Sequence, residues 1–138
     1  MSTSLRDMMA RARPAVGDIP PAAAAAAVEA GEFDLVIDVR ESAEFAERHV
    51  AGATCIPRGV LELRANPVSP SADQSLAGKH SARILVYCTK GPGARSLLAG
   101  ETLVTMGFER VETLSGGLVA WSEAGLPVEG SAAPVAGS

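Results

Sequence analysis

The sequence predicts an α/β fold with a mainly parallel sheet and helices on both faces. Three observations carry that expectation. Apolar runs at Phe33–Val39, Ala53–Ile56, Arg83–Tyr87 and Val111–Leu114 read as strands, and helical stretches alternate with them. Gly and Pro punctuate the elements at Gly31, Pro57, Gly107 and Gly125. Apolar residues make up 47% of 138 positions and charged residues 20%, enough for a single hydrophobic core. No internal repeat is visible.

The first 15 residues read as an amphipathic extension. Leu5, Met8, Met9 and Ala12 fall on one helical face of Ser2–Arg13, which we read as patching its own domain rather than a partner. The domain proper spans 16–130. Pro21 suits a helix start, the alanines propagate it, and Gly31 closes it. After the strand Phe33–Val39 come a short helix, Glu41–Arg48, and the strand Ala53–Ile56, ended by Pro57. Gly59–Arg64 has room for one or two helical turns. Asn66–Ala82 is rich in Pro, Ser and Gly without a period, so it reads as a long surface loop, either functional or disordered. The strand Arg83–Tyr87, a helix from about Ala94 to Met106, the strand Val111–Leu114 and a helix Leu118–Ala124 follow. Residues 131–138, or the whole of Gly130–Ser138, read as a disordered tail.

Twelve Lys and Arg against 16 Asp and Glu give a net charge of −4 with no basic run, which argues against a nucleic-acid partner. Two cysteines make neither a disulfide framework nor a zinc site, so a reducing, cytoplasmic setting with one functional thiol is expected. The weakly apolar run Ala22–Val28 follows Pro20-Pro21 and leads into the first core strand. It is not read as a leader, and no segment is read as crossing a membrane.

The chemistry gathers at Cys88. A buried strand delivers the thiol, and Thr89-Lys90-Gly91-Pro92-Gly93-Ala94 then turns into a helix that begins near Arg95-Ser96. Ligands of such sheets bind beyond the carboxyl ends of the strands, where Cys88 falls. Gly91 and Gly93 permit the backbone angles that turn several N–H groups toward one point, and the helix dipole adds positive charge. Pro92 has no N–H to offer and faces away or shapes the turn. Arg95 offers a planar fork for sulfite, sulfate or phosphate, and Lys90 adds charge. The expectation is an anion cradle around a nucleophilic thiolate.

These segments resemble the rhodanese family. Asp38-Val39-Arg40-Glu41, Glu44-Phe45, His49-Val50-Ala51-Gly52-Ala53 and Ile56-Pro57-Arg58-Gly59 are similar to its first signature. Tyr87-Cys88 through Arg95-Ser96 resembles its active-site segment. Met106-Gly107-Phe108 and Gly116-Gly117-Leu118-Val119-Ala120-Trp121 through Val128 resemble its closing signature. The likeness runs over residues 16 to 129 and implies a five-stranded sheet. It also implies a sulfurtransferase that carries sulfane sulfur as a Cys88 persulfide. Sulfur would pass from a thiosulfate-like donor to cyanide or a thiol, in a ping-pong scheme that needs no metal or organic cofactor. The loop amides would stabilise the charge on the persulfide. One departure stands out. Six residues separate Cys88 from Arg95, against four in common single-domain rhodaneses and five in related phosphatase-type loops. The longer loop makes a wider cradle or bulges at Gly91-Pro92-Gly93.

The resemblance also suggests that Asp38, Arg40 and Glu41 serve as an ion pair fixing strand to helix. His49 reads as helix-end packing with a satisfied hydrogen bond, because no acid or nucleophile lies near it in sequence. Arg58 either lines the mouth of the site or is a solvated surface residue. Cys55 reads as a small buried hydrophobe, with a resolving-cysteine role as the alternative. Trp121 should anchor the last helix, and Gly116-Gly117 should let the backbone pass close to the active-site loop.

Two further readings share the same thiol. One is phosphatase or arsenate-reductase chemistry, weakened by the lack of an evident general acid. The other is a non-catalytic persulfide carrier or binding module, docking through Ser2–Arg13 or Asn66–Ala82. The expected partners are a small anionic sulfur donor and a thiol or protein acceptor; the oligomeric state is left open.

Overall fold

The computed structural model describes residues 2–91 and 93–132. In chain order its elements are α1 (Leu5–Ala12), β1 (Gly17–Ile19), α2 (Pro21–Glu29), β2 (Leu35–Asp38) and α3 (Ser42–Glu47). These are followed by β3 (His49–Val50), β4 (Thr54–Cys55), α4 (Leu61–Ala65), β5 (Arg83–Tyr87), α5 (Ala94–Thr105), β6 (Arg110–Leu114), α6 (Gly117–Glu123) and β7 (Val128–Glu129). Single 3₁₀ turns precede β1, at Arg13–Ala15, and α4, at Arg58–Val60.

Five strands form one sheet in the order β1-β6-β5-β2-β4, with every pairing parallel. The period of two explains the layers. Along β5, Ile84 and Val86 join a core with Ala12, Leu61 and Leu97 from α1, α4 and α5. Leu85 and Tyr87 point the other way, toward Ala24 of α2 and Leu118 and Trp121 of α6. Being covered on both faces, the strand carries an unbroken apolar run. β3 and β7 make a separate antiparallel pair.

From β2 the chain steps outward to β4, then returns past β2 to β5 and proceeds to β6 on the opposite side. Connections therefore diverge between β2 and β5, and their carboxyl ends open a crevice. Arg40 and Glu41 follow β2 there, and Cys88 follows β5.

Several expectations change. β1 pairs with β6 through Gly17, Asp18 and Ile19, and the sequence did not signal it. Three residues beginning with glycine carry no measurable period. α1 packs against α5 through Met9 and Ala12, but Leu5 and Met8 of its apolar stripe are exposed. The 66–82 loop has no regular element, yet Leu76 within it is fully buried, and Arg64 Nη1 donates to the Ser71 carbonyl at 2.9 Å. The tail expected to be disordered is fastened at its start, where Ser131 N and Ala132 N donate to the Ala46 and Glu47 carbonyls at 2.9 and 2.8 Å. Residues 133–138 of that tail lie outside the described residues. Among the described residues, no helix is long and apolar enough to cross a membrane.

Candidate active site

Tyr87 ends β5 inside the core, and the next residue, Cys88, is only 4% exposed. The chain then loops outward and re-enters at Gly93, the N-cap of α5, with φ +64° and ψ +58°. A side chain there would be strained by the left-handed backbone. Its Cβ would also stand 2.8 Å from Ser96 Oγ and 3.4 Å from Cys88 Sγ. Glycine at position 93 is thus what lets the loop close over the sulfur. The amides of Ala94, Arg95 and Ser96 occupy the first turn of α5, where helical geometry supplies no internal acceptor, and the dipole of a 12-residue helix favours an anion beside them.

Ser96 is the direct neighbour of the Cys88 sulfur. Its hydroxyl lies 3.3 Å from Cys88 Sγ and donates to the Gly93 carbonyl at 3.1 Å. With that hydrogen committed, its oxygen accepts from the thiol; rotation of the hydroxyl offers the hydrogen to a thiolate instead. Sequence reasoning missed this role. The available signal was a hydroxyl residue in the first turn of the helix, placed to reach back over the loop.

A second helix end holds the loop from below. Leu118 N and Val119 N of α6 donate to the carbonyls of Cys88 and Thr89 at 3.0 and 2.9 Å. The approach is so close that a Cβ on Gly117 would lie 2.6 Å from the Cys88 oxygen. Gly91 rests against Gly116, 3.4 Å from where a Gly91 Cβ would be. Tied to α6, the two carbonyls cannot turn their negative ends toward the sulfur.

Arg95 departs from expectation. Its fork does not stand open for an oxyanion: Nη1 and Nη2 donate to the two carboxylate oxygens of Glu44 at 2.9 and 3.3 Å, and Nη2 also reaches Thr89 Oγ1 at 3.0 Å. The hydrogen bond from Arg95 holds the Glu44 carboxyl below its ordinary range, and Glu44 in turn raises Arg95. Glu44 begins the helix after β2 and Arg95 the helix after β5, so the pair spans the crevice. The sequence offered Glu44 only as part of a signature. Lys90 is exposed, and its carbonyl lies 4.0 Å from Sγ. Pro92, expected to shape the turn, lies outside the described residues.

Arg58 is not at the mouth. It donates to Glu62 at 2.9 Å and to Thr102 Oγ1 at 2.9 Å. Thr102 lies eight residues along α5 from Ala94, about 12 Å from the end that meets Cys88. Arg58 therefore fastens the α4 region to α5.

The surrounding residues form the frame. Asp38 and Arg40 make a buried pair at 2.7 Å, and Arg40 Nη2 also donates to the Arg48 carbonyl at 2.6 Å. Burial works against the Arg40 charge, but Asp38 more than offsets it and Arg40 is raised overall. Glu41 caps α3 and is exposed. His49 stacks on Phe45 at 3.6 Å, and its Nδ1 lies 2.7 Å from the Phe45 carbonyl. Trp121 is 2% exposed and donates to the Pro127 carbonyl at 2.8 Å. Cys55 is half-buried, and burial pushes its thiol up. In register it faces Asp38, which faces Tyr87. Two strand spacings, roughly 10 Å, thus separate it from the β5 end that carries Cys88, too far for a disulfide.

The fold and its sulfur-bearing loop have clear relatives. The rhodanese-like domain family matches residues 20–124. A protein named sulfurtransferase from Allochromatium vinosum is 31% identical over 94 residues, covering 68% of this chain and 77% of that one. Thiosulfate sulfurtransferase 16, chloroplastic, of Arabidopsis thaliana is 35% identical over 96 residues, covering 67% of this chain and 78% of that one. A solved structure from Rhodopseudomonas palustris, described as a protein of unknown function and possible tyrosine phosphatase, has a TM-score of 0.84. It is 29% identical and covers 94% of this chain and 96% of that one. The chain belongs to the rhodanese-like domain family.

Proposed function

We propose that this protein is a sulfurtransferase that moves sulfane sulfur from a thiosulfate-like donor to a thiophilic acceptor through a Cys88 persulfide. The observation that carries the reading is the setting of Cys88 Sγ, 3.3 Å from the Ser96 hydroxyl and beside the first turn of α5. A thiolate there attacks the outer sulfur of thiosulfate. The S–S bond of the donor breaks, sulfite leaves with its electron pair, and the outer sulfur stays on Cys88. In the second half-reaction cyanide or a thiolate attacks that sulfur, the new S–S bond breaks, and Cys88 returns as thiolate. The first-turn amides and Ser96 stabilise negative charge on both the thiolate and the persulfide. Arg95, its fork held by Glu44 and Thr89, offers an anionic donor long-range attraction at the rim rather than a bidentate grip. Two free cysteines suit a reducing cytoplasm, where a persulfide is formed and discharged without a lasting disulfide.

The test is direct. Thiosulfate treatment should add one sulfur to Cys88 by mass spectrometry, cyanide should remove it as thiocyanate, and Cys88→Ser should abolish both. No added sulfur from any of a panel of donors would overturn the reading. Added sulfur with negligible turnover, discharged rapidly to a protein thiol, would make the module a carrier.

Phosphatase chemistry is the second reading, favoured by the long loop and by the R. palustris neighbour's description. Glu44 counts against it, because its carboxylate occupies the arginine fork that a phosphate dianion would need. Hydrolysis of an aryl phosphate, lost in Cys88→Ser, would support it.

A further inference from the structure

A cavity borders the active-site loop, which contributes Gly91 and Gly93 to its wall. It has a volume of about 110 Å³ and is lined by Gly93 and Ser96 of the loop region, by Thr113 and Ser115 at the end of β6, and by Arg13 and Asp18. Arg13 and Asp18 precede residue 20, where the family match begins. The N-terminal segment thus adds one cation and one anion to the wall of a small cavity beside the nucleophile.

The geometry of these charges is specific. β1 runs parallel to β6 with Asp18 opposite Thr113, which brings Asp18 to the carboxyl edge of the sheet. Thr113 Oγ1 and Ser115 Oγ donate to its two carboxylate oxygens at 3.0 and 2.7 Å and so fix its orientation. A carboxylate held by one hydroxyl on each oxygen keeps further lone pairs for a donor. Arg13 lines the same cavity, yet among the described residues it has no carboxylate partner, Asp18 included. Opposite charges that face one small space without pairing match a ligand that carries both.

We propose that this cavity is the acceptor subsite and that it takes a small zwitterionic thiol of the cysteine type. The α-carboxylate meets Arg13, the α-ammonium meets Asp18, and the thiol points to the loop. The cavity opens to solvent between Arg13 and Asp18, both exposed, and has room for a single amino acid between the two charges. Ser96 joins the two sites, since it lines the cavity and its hydroxyl lies 3.3 Å from Cys88 Sγ. The chemical step rests on the persulfide reading above. The acceptor's thiolate attacks the outer sulfur of the Cys88 persulfide, the Cys88 S–S bond breaks, Cys88 leaves with the electron pair, and the amino acid departs as its persulfide.

Three acceptors separate the charges: cysteine carries both, cysteamine only the ammonium, and 3-mercaptopropionate only the carboxylate. Steady-state rates with thiosulfate as donor should give two ratios of kcat/KM in wild type and variants. In Arg13→Gln the ratio of cysteine to cysteamine should fall about tenfold. In Asp18→Asn the ratio of cysteine to 3-mercaptopropionate should fall by a similar factor. Comparing ratios cancels differences in thiol reactivity and in the donor half-reaction. A binding measurement independent of turnover accompanies this. L-serine, the same zwitterion with a hydroxyl, should shift the amide resonances of residues 113–116 saturably, and both substitutions should weaken it. If both ratios hold constant and serine leaves those resonances unmoved, the subsite is overturned even where thiocyanate is made. If serine binds there but Cys88 takes up no sulfur, the persulfide reading fails while the zwitterion site stands.

Discussion

Glu44 grips Arg95 at two points, 2.9 and 3.3 Å, across the crevice where the chain leaves β2 and β5 in opposite directions. A cation expected to receive the donor is thereby half-neutralised at the rim. Glu44→Gln keeps the side chain's shape and removes the charge. The KM for thiosulfate should fall about threefold at low ionic strength, the scale of an exposed ion pair, and the gain should shrink as salt is added. Arg95→Gln should move KM in the other direction. The pair also predicts an acid limit. Glu44 titrates below its ordinary 4.5, so the contact persists at that pH and is lost as the pH falls through the lowered value. An unchanged KM in Glu44→Gln would mean that Arg95 plays no part in meeting the anion.

Ser96 gives a second prediction. Its hydroxyl serves the sulfur and the Gly93 carbonyl together. Ser96→Ala should slow persulfide formation about tenfold, the usual cost of removing a hydrogen bond to a charged group. Stopped-flow mixing with thiosulfate measures this half-reaction alone. A variant that forms persulfide at the wild-type rate would leave the first-turn amides as the sole stabilisers.

The sheet and the loop were legible in the sequence for different reasons. Arg83–Tyr87 is buried on both faces, so its apolar run is unbroken, and the helix from Ala94 is bounded by glycines at 93 and 107. Of the strands of two or three residues, only β4 was legible, through the run Ala53–Ile56 that Pro57 ends. β1, β3 and β7 are too short to show a period and exist because partners across the fold hold them. Side-chain destinations were the least readable. Arg58 and Arg95 both looked available for an anion, but Glu62 and Thr102 take one, Glu44 and Thr89 the other. Glu62 stands four residues from Arg58, a spacing a helix brings together. Thr89 lies six residues before Arg95, but only the shape of the loop between them brings the two together, and Thr102 and Glu44 come from distant segments that local sequence does not bring into view.

The lone tyrosine offers an optical test of the core. Tyr87 is fully buried, its hydroxyl oxygen accepts from Val50 N at 3.0 Å, and burial first, then the Asp38 carboxylate, push its ionisation well above the ordinary 10.0. A group raised by folding contributes stability below its unfolded value and loses it as pH rises above that value. Stability should therefore decline from about pH 10 upward, and tyrosinate absorbance should appear only with unfolding. Tyr87→Phe should cost about 1–3 kcal/mol, because it leaves the Val50 amide buried and unpaired. Tyrosinate forming in the folded protein near pH 10 would contradict this placement.

Gly117 tests whether the clamp from α6 matters to the chemistry. Its φ is +61°, and a Cβ there would stand 2.6 Å from the Cys88 carbonyl and 2.8 Å from Lys90 N, both of them backbone atoms that cannot swing aside. Gly31 supplies the control, with φ +74° and no atom within 4 Å of the Cβ position. Gly31→Ala pays only the left-handed penalty, about 1–2 kcal/mol. Gly117→Ala carries that penalty and also forces the loop off the amides of Leu118 and Val119. It should be the less stable of the two by chemical denaturation. It should also lose at least about tenfold in thiosulfate turnover, since small displacements of a reacting atom are costly. Gly31→Ala should turn over thiosulfate like the parent. Equal losses in the two variants would show that the contact between α6 and the loop is mere packing, with no part in positioning Cys88.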